Sequence, residues 1–225
     1  MLEVKNLSVS LKKNRENKNL LENVCFEIPA GSVYTIMGKN GEGKSTLIKS
    51  ITKLLPENDF SFGGKIMFAG EDIFEMDKNR LMEIRSAKIK YVFQDTQTSF
   101  DPLKKTEYYF RKIYKSNSEP DELLNYFMLP EKKKLYKMYP HELSGGMAQR
   151  LLIVLTLLKD PGLIIFDEPT SALDTPVSNL LRNKLREFVD GKKKSVLVVT
   201  QDHTFAQNVS DKIATLSSGF LSDFA

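Results

Sequence analysis

An eight-residue segment rich in glycine and lysine carries the first chemical signal. Residues 38–45 read Gly-Lys-Asn-Gly-Glu-Gly-Lys-Ser, which matches the phosphate-loop pattern G-x-x-x-x-G-K-[ST]. Glycines allow a tight turn that aims several backbone N–H groups at one anion. We expect Lys44 to reach the β- and γ-phosphates of a nucleoside triphosphate and the Ser45 hydroxyl to ligate Mg²⁺. The predicted nucleotide-binding residues are Gly38, Lys39, Asn40, Gly41, Glu42, Gly43, Lys44, Ser45 and Thr46.

A second signal is a pair of carboxylates at the end of an apolar run. Residues 163–166 read Leu-Ile-Ile-Phe and are followed directly by Asp167 and Glu168. Mg²⁺ prefers oxygen ligands and keeps several waters, so one carboxylate beside the phosphates is enough. We predict that Asp167 is the metal partner. Glu168 is the candidate catalytic residue that polarises the water attacking the γ-phosphate.

To act together, the phosphate loop and the two carboxylates must follow strands whose carboxyl ends meet at one edge of a sheet. Residues 33–37, 163–166 and 196–199 are short apolar runs, typical of interior strands of a parallel sheet. Helical spacing follows the phosphate loop up to Pro56 and recurs over residues 178–189. Strand–helix repetition of this kind predicts an α/β fold with a largely parallel sheet.

Two stretches depart from that pattern. Residues 1–30 alternate between apolar and polar, and residues 65–68 resemble another strand, which predicts an antiparallel β portion. The stretch from about 95 to 142 has few β-branched residues and is predicted to be an inserted helical subdomain. We therefore expect one domain over 1–225, with a nucleotide-binding core from 1–94 and 151–225 and helical residues from about 95 to 150.

Composition excludes several classes of protein. The 225 residues are 41% hydrophobic, too apolar for a disordered chain. Lys and Arg exceed Asp and Glu by 33 − 29 = 4 scattered charges, so a nucleic-acid partner is not expected. The longest apolar run, 151–158, is too short to span a bilayer, and no signal-peptide pattern is present. Cys25, the single cysteine, excludes an internal disulfide and is expected to be buried on a strand.

The order of the remaining motifs resembles that of ABC-type ATPases. Residues 143–150, Leu-Ser-Gly-Gly-Met-Ala-Gln-Arg, resemble the family's signature motif, and residues 171–174, Ser-Ala-Leu-Asp, resemble its D-loop. Gln94 follows an apolar run at the position of the Q-loop. The resemblance covers about residues 2–220. It implies a P-loop NTPase with the ABC-ATPase fold and a RecA-like parallel core, ATP hydrolysis with ATP and Mg²⁺ as ligands, and a contact of Gln94 with Mg²⁺ or the attacking water.

Two local stretches are similar to the peptide/nickel importer branch of that family. They are residues 93–102, which include Phe-Gln-Asp and Thr-Ser-Phe-Asp-Pro, and residues 139–143, Tyr-Pro-His-Glu-Leu. The resemblance implies a second ATPase subunit, identical or different, beneath two transmembrane permease subunits at the cytoplasmic face of the membrane. An extracellular or periplasmic substrate-binding protein acts indirectly. In the family, the signature residues Ser144, Gly145 and Gly146 complete the phosphate site of the partner subunit.

The aromatic segment after Gln94 has two interpretations. Its rings either pack in the core or receive the membrane subunit, and the residues concerned are Tyr91, Phe93, Phe100, Tyr108 and Tyr109.

Two positions depart from the family pattern. Gln201 occupies the place of the switch histidine, and His203, two residues later, is the less favoured alternative for that role. A glutamine donates hydrogen bonds but cannot become cationic, so we expect weaker hydrolysis and an asymmetric ATPase pair. Leu11, or Lys12, occupies the place of the aromatic residue that stacks on adenine, which predicts loose base selectivity.

Other functions stay open at this point. The alternatives are a weakly active regulatory subunit and a non-transport ABC ATPase in DNA repair or translation. The chain has neither sustained heptads nor a second phosphate loop, which disfavours the last two. Many peptide-importing relatives carry a C-terminal extension, whereas this sequence stops soon after a predicted last strand at 212–216. We therefore expect nickel, cobalt or another metal chelate slightly ahead of oligopeptides.

Overall fold

The computed structural model describes residues 1–12, 18–113, 120–191 and 193–223. Its strands are β1 (Leu2–Leu11), β2 (Lys18–Ile28), β3 (Val33–Met37), β4 (Phe60–Phe68), β5 (Glu71–Asp72), β6 (Ile89–Val92), β7 (Leu163–Asp167), β8 (Ser195–Thr200), β9 (Lys212–Ser217) and β10 (Phe220–Asp223). Its α-helices are α1 (Lys44–Ile51), α2 (Lys78–Glu83), α3 (Thr106–Ile113), α4 (Pro120–Tyr126), α5 (Lys132–Leu135), α6 (Gly145–Leu158), α7 (Thr175–Val189) and α8 (His203–Val209). A π-helical turn covers Ile84–Lys88, and 3₁₀ turns cover Gln97–Ser99 and Pro140–Glu142.

The larger sheet confirms the predicted parallel core. Its strand order is β10-β9-β3-β8-β7-β6, and every neighbouring pair except β10–β9 is parallel. Register aligns Met37 with Thr200 and Asp167 with Val199. The carboxyl ends of β3, β7 and β8 therefore lie together at one edge, where ligands of open α/β sheets bind.

The smaller sheet is the predicted antiparallel portion, with the order β2-β1-β4-β5. Its inward side chains, such as Val24 and Phe26, belong to a core shared with α1 and one face of the larger sheet. Cys25 lies between them and is exposed, so its predicted burial is wrong. The reason is the two-residue period of a strand, which turns Cys25 outward when its neighbours face inward.

The helices between β6 and β7 lie on the opposite face of the larger sheet. Apolar side chains of α3, α4, α5 and α6 form one cluster with α7 and with sheet residues such as Ile164 and Val198. The strand predicted at 212–216 is present as β9, but it is not the last one, because a turn at Ser218 and Gly219 leads into β10. In the described ranges, no helix combines the length and apolar character that crossing a membrane requires.

Candidate functional site

The phosphate loop joins the end of β3 to the start of α1. Gly41 and Gly43 adopt φ angles of +88° and +97°, a region that favours glycine. A Cβ on Gly38 would lie 2.5 Å from the Leu216 carbonyl oxygen, so this position has no room for a side chain. No side chain caps the start of α1 and its first turn contains no acidic residue. The first N–H groups of α1 are therefore offered to an anion.

The side chains within the loop have different environments. Lys39, Asn40 and Ser45 are exposed, whereas Thr46 is partly buried. The Glu42 carboxylate accepts a hydrogen bond from the Ser218 N–H, which ties the loop to the turn before β10.

Lys44 points back into the loop that precedes it. Its side chain is 6% exposed, and its Nζ donates to the carbonyl oxygens of Gly38 at 2.7 Å and Lys39 at 3.1 Å. The same Nζ lies 3.5 Å from Glu168 Oε1. The buried ammonium is thus positioned where an anion in the loop would meet it.

Ser45, in the first turn of α1, lies next to Asp167, the last residue of β7. The Ser45 hydroxyl donates to Asp167 Oδ2 at 3.2 Å, and the Tyr91 hydroxyl reaches the same oxygen at 3.5 Å. Burial raises the pKa of Asp167, the hydrogen bond from Ser45 lowers it, and the charge of Glu168 raises it further. The pair offers two oxygen ligands at one point.

Glu168 is buried and held by residues of the next strand. Thr200 Oγ1 donates to Glu168 Oε2 at 2.9 Å, and the Gln201 N–H donates to the same oxygen at 3.1 Å. Glu168 itself has φ +50°, a strained value for a residue with a side chain, and its N–H donates to Val199 at 2.8 Å. The fold therefore fixes this carboxylate beside Lys44.

Gln201 connects the phosphate loop to Glu168. Its Nε2 donates to Asn40 Oδ1 at 2.7 Å and to Glu168 Oε1 at 3.4 Å. His203 is the first residue of α8 and is exposed. It lines a cavity of 320 Å³ together with Lys39, Glu42 and Gln201. Gln201 therefore links Asn40 of the phosphate loop to Glu168 through its side chain.

The signature segment begins α6 at a separate place. Ser144 is the N-cap, and its hydroxyl accepts from the Met147 N–H at 3.2 Å. Ser144 and Gly145 are exposed. A Cβ on Gly146 would lie 2.9 Å from the Ala172 carbonyl oxygen, so the signature packs tightly on residues 171–174.

Two further predicted residues are not brought into this network. Gln94 is exposed beyond the end of β6, and no described hydrogen bond joins its side chain to Ser45 or Asp167. Leu11 is partly buried at the end of β1, paired with Lys18 and Phe60. Residues 13–17, which follow it, lie outside the described residues.

Three contacts of the site were not predicted from the sequence. They involve Tyr91 and Thr200, which donate to the two carboxylates, and Gln149, whose buried Nε2 donates to the Pro169 carbonyl at 2.7 Å. Thr200 directly precedes Gln201 and Gln149 lies inside the signature, so their positions in the sequence were the only available signals.

Comparison with known proteins gives the family. The family model described as "ABC transporter" matches residues 21–171. The oligopeptide transport ATP-binding protein OppD of Bacillus subtilis is 33% identical over 97% of this chain, and OppD of Escherichia coli is 31% identical over 97%. The chain spans 64% of the Bacillus relative and 42% of the peptidoglycan transport ATP-binding protein YejF of Agrobacterium fabrum.

Solved structures agree with this result. A dimeric ATP-binding cassette bound to ADP and Pi superimposes with a TM-score of 0.81 at 27% identity, covering 100% of this chain and 99% of that chain. A bacterial ABC exporter with ATP bound gives a TM-score of 0.77 at 25% identity, covering 99% of this chain and 38% of that chain. The fold is that of an ABC ATPase, in which ATP hydrolysis is characteristic. The motif order, the strand-end geometry and these matches show that the chain belongs to the ABC transporter family.

Proposed function

We propose that this chain binds and hydrolyses ATP as the ATP-binding subunit of an ABC importer. The observation that carries the proposal is the convergence of Lys44, Asp167 and Glu168 at the phosphate loop. Phosphoryl transfer needs a cation for the phosphates, oxygen ligands for a metal and a group that orients the attacking water. This site supplies each of them, from the start of α1 and the end of β7.

Lys44 and the start of α1 would bind the phosphates. The Lys44 ammonium already faces into the loop, with two carbonyl oxygens and Glu168 as its acceptors. A γ-phosphate oxygen would replace Glu168 as the third acceptor, which frees the carboxylate for catalysis. The uncapped N–H groups of α1 add partial positive charge at the same point.

The residues present fit Mg²⁺. Ser45 and Asp167 provide oxygen donors 3.2 Å apart, and Mg²⁺ binds through one or two carboxylates plus substrate phosphates. Over the described residues, no group of three or more His, Cys, Asp or Glu side chains is arranged to hold a metal, so the nucleotide would complete the coordination. Bound there, Mg²⁺ would neutralise phosphate charge. Gln94 is proposed as a further contact of Mg²⁺ or the attacking water.

Glu168 is proposed to accept the proton of the attacking water. The hydroxyl of Thr200 and the N–H of Gln201 hold one of its oxygens, which leaves the other toward the phosphate loop. Gln201 acts as a positioning residue through Asn40 and Glu168. A glutamine cannot supply a positive charge to the γ-phosphate, so slower hydrolysis is expected than with a histidine there.

A second ATPase subunit would complete the site. Ser144, Gly145 and Gly146 start α6 apart from the phosphate loop, and no described contact joins the two segments. We propose that they bind the γ-phosphate held by the partner's loop, while Leu11 lies beside the adenine of this chain's own nucleotide. We also propose one domain, with its core at 1–94 and 151–225 and helical residues between.

The transporter would place this subunit at the cytoplasmic face of the membrane, beneath two permease subunits, with a substrate-binding protein outside and no nucleic acid. Phe93 and Tyr108 are each 36% exposed and are proposed to contact a permease. Phe100 is 5% exposed and packs in the core beside α6, which favours the core interpretation for that ring.

Peptides are the substrate class that the comparisons favour. The matched relatives include oligopeptide and dipeptide transport ATP-binding proteins, and we extend that class to this chain. The expectation that the substrate is nickel, cobalt or a metal chelate finds no support among these relatives. An asymmetric pair, or a weakly active regulatory subunit, is favoured by one observation, the presence of Gln201 beside an otherwise complete site.

Reconstitution tests the proposal. The chain, its partner ATPase and the permeases in vesicles should hydrolyse ATP and take up a labelled peptide, whereas Lys44→Ala should stop both. Labelled nickel in parallel vesicles tests the other substrate class.

Uptake that continues undiminished with Lys44→Ala would contradict the site. A brisk, cooperative ATPase from the isolated chain, unaffected by Gln201→Ala, would contradict the asymmetric pair.

A further inference from the structure

The side chain of Tyr91 lies between the metal-binding carboxylate and the protein surface. Its hydroxyl is 3.5 Å from Asp167 Oδ2, the oxygen that also accepts from Ser45 at 3.2 Å. Asp167 is only 6% exposed, so solvent contributes little to its hydrogen bonding. The two hydroxyls are therefore the described side-chain donors to this carboxylate oxygen.

The direction of the hydrogen bond from Tyr91 follows from its surroundings. A tyrosine hydroxyl carries a proton at neutral pH. The phenol stays protonated and donates, because an ionised carboxylate has no hydrogen to give. A hydrogen bond to a charged group is stronger than one between neutral groups.

The ring of Tyr91 continues this connection to the surface. Its centroid lies 4.1 Å from that of Phe93. Phe93 directly follows β6, two residues after Tyr91, which is the spacing at which side chains of an extended chain share a face. Phe93 is 36% exposed and immediately precedes Gln94. A continuous pair of rings thus joins Asp167 to an exposed surface beside Gln94.

We propose that Tyr91 is a positioning residue that fixes Asp167 Oδ2 for Mg²⁺ and links its position to Phe93 at the surface. The inference rests on the proposed function. If the Ser45 hydroxyl were to ligate Mg²⁺, Tyr91 would remain as the described side-chain donor to Asp167 Oδ2. A displacement of Phe93 would move the Tyr91 ring and so alter the orientation of the metal ligand.

Tyr91→Phe tests the hydroxyl, because it removes one oxygen and keeps the ring pair. The measurement is binding of a fluorescent ATP analogue to the purified chain while Mg²⁺ is titrated. We expect the Mg²⁺ midpoint to rise about 3- to 10-fold, the value of one hydrogen bond, with unchanged nucleotide binding in EDTA. Tyr126→Phe removes a tyrosine hydroxyl that donates to the Leu180 carbonyl oxygen instead, and should keep the native midpoint.

Phe93→Ala tests the link to the surface. It should raise the Mg²⁺ midpoint about 2- to 3-fold, a smaller change than loss of the hydrogen bond itself. The double variant with Tyr91→Phe should bind no worse than Tyr91→Phe alone, because both act through one hydroxyl. Melting temperatures within a few degrees of native establish that each variant is folded.

The outcomes separate the two claims. A native midpoint in a folded Tyr91→Phe chain overturns the inference and leaves the proposed function intact. Fully additive effects of Tyr91→Phe and Phe93→Ala overturn the link through the rings. A native chain that binds no ATP analogue, with or without Mg²⁺, overturns the proposed function and the inference together.

Discussion

The starts of helices α1 and α6 both follow glycine-rich segments, yet they differ in what they offer an anion. At α1, Gly43 provides no side-chain cap and the buried ammonium of Lys44 lies beside the free N–H groups. At α6, Ser144 caps the helix through its own hydroxyl. Arg150, the nearest basic residue of α6, donates instead to carbonyl oxygens of its own chain, including that of Phe127 at 3.0 Å.

This difference agrees with the proposal that one chain carries two segments that bind phosphate. The start of α1 has a full cation and an uncapped helix end, so it can bind a phosphate without help. The start of α6 offers backbone groups and a hydroxyl that is already engaged, so it suits a nucleotide already held elsewhere. The comparison supports one primary site and one completing surface in each subunit.

The largest effect is expected at the primary site, where Glu168 lies beside Lys44 of α1. Glu168→Gln removes the proton acceptor, so hydrolysis by the assembled transporter should fall at least about 100-fold while ATP binding persists. The expected product is a long-lived ATP-bound pair of subunits, measured by size-exclusion chromatography with Mg-ATP. Glu187→Gln, at an exposed glutamate paired with Lys184, is the control. Rapid dissociation of the Glu168→Gln pair would count against Glu168 as the catalytic carboxylate.

The next effect concerns the α6 side. Gly146→Ala places a methyl group 2.9 Å from the Ala172 carbonyl oxygen, which must displace the signature from residues 171–174. Hydrolysis by the assembled pair should fall about 10-fold, equivalent to about 1.4 kcal/mol. Gly162→Ala is a matched control, because its methyl group would make ordinary contacts at 3.5 Å or more. Equal hydrolysis by the two variants would show that the packing of Gly146 is unimportant.

A smaller effect is expected at Gln201, which joins the phosphate loop to Glu168. Gln201→Ala removes hydrogen bonds to Asn40 and Glu168, which should slow hydrolysis about 3- to 10-fold. Gln201→His introduces a side chain that can become cationic, so the rate of ATP hydrolysis should rise above that of the native protein. Steady-state ATPase assays of the assembled transporter measure both. A native rate for Gln201→Ala would refute the positioning role.

The smallest effect sharpens the contrast in capping. Ser144→Ala removes the cap of α6 and should lower the free energy of unfolding by about 1 kcal/mol in urea. Ser171→Ala, an exposed serine without a described side-chain hydrogen bond, should change it by less. Equal stability of both variants would mean that Ser144 contributes nothing as a cap.

The sequence predicted the parts of the molecule that depend on local pattern. The strands ending at Met37, Asp167 and Thr200 were found because buried parallel strands are continuous apolar runs. The strand β10 was missed because it is only four residues long and mostly exposed, so it lacks the continuous apolar run of a buried strand. The burial of Cys25 was misjudged because apolar character outweighed the alternation of β2.

The candidate site likewise combines residues that local motifs predict with contacts that only the folded sheet creates. Lys44, Ser45, Asp167 and Glu168 stand in recognisable motifs, so their identity was predicted before their geometry was known. The contact of Tyr91 with Asp167 spans 76 residues and depends on the pairing of β6 with β7. No local pattern encodes such a contact, because register between strands is set by the whole sheet.

The central claim is that α1 binds nucleotide by itself and α6 completes a partner's site. Equilibrium titration of the isolated chain with a fluorescent ATP analogue tests it most directly, using native protein, Lys44→Ala and Gly146→Ala. We expect Lys44→Ala to abolish detectable binding without unfolding the chain, while Gly146→Ala keeps the native affinity within about twofold. Tight binding by Lys44→Ala, or equal loss of binding in both variants, would contradict the claim.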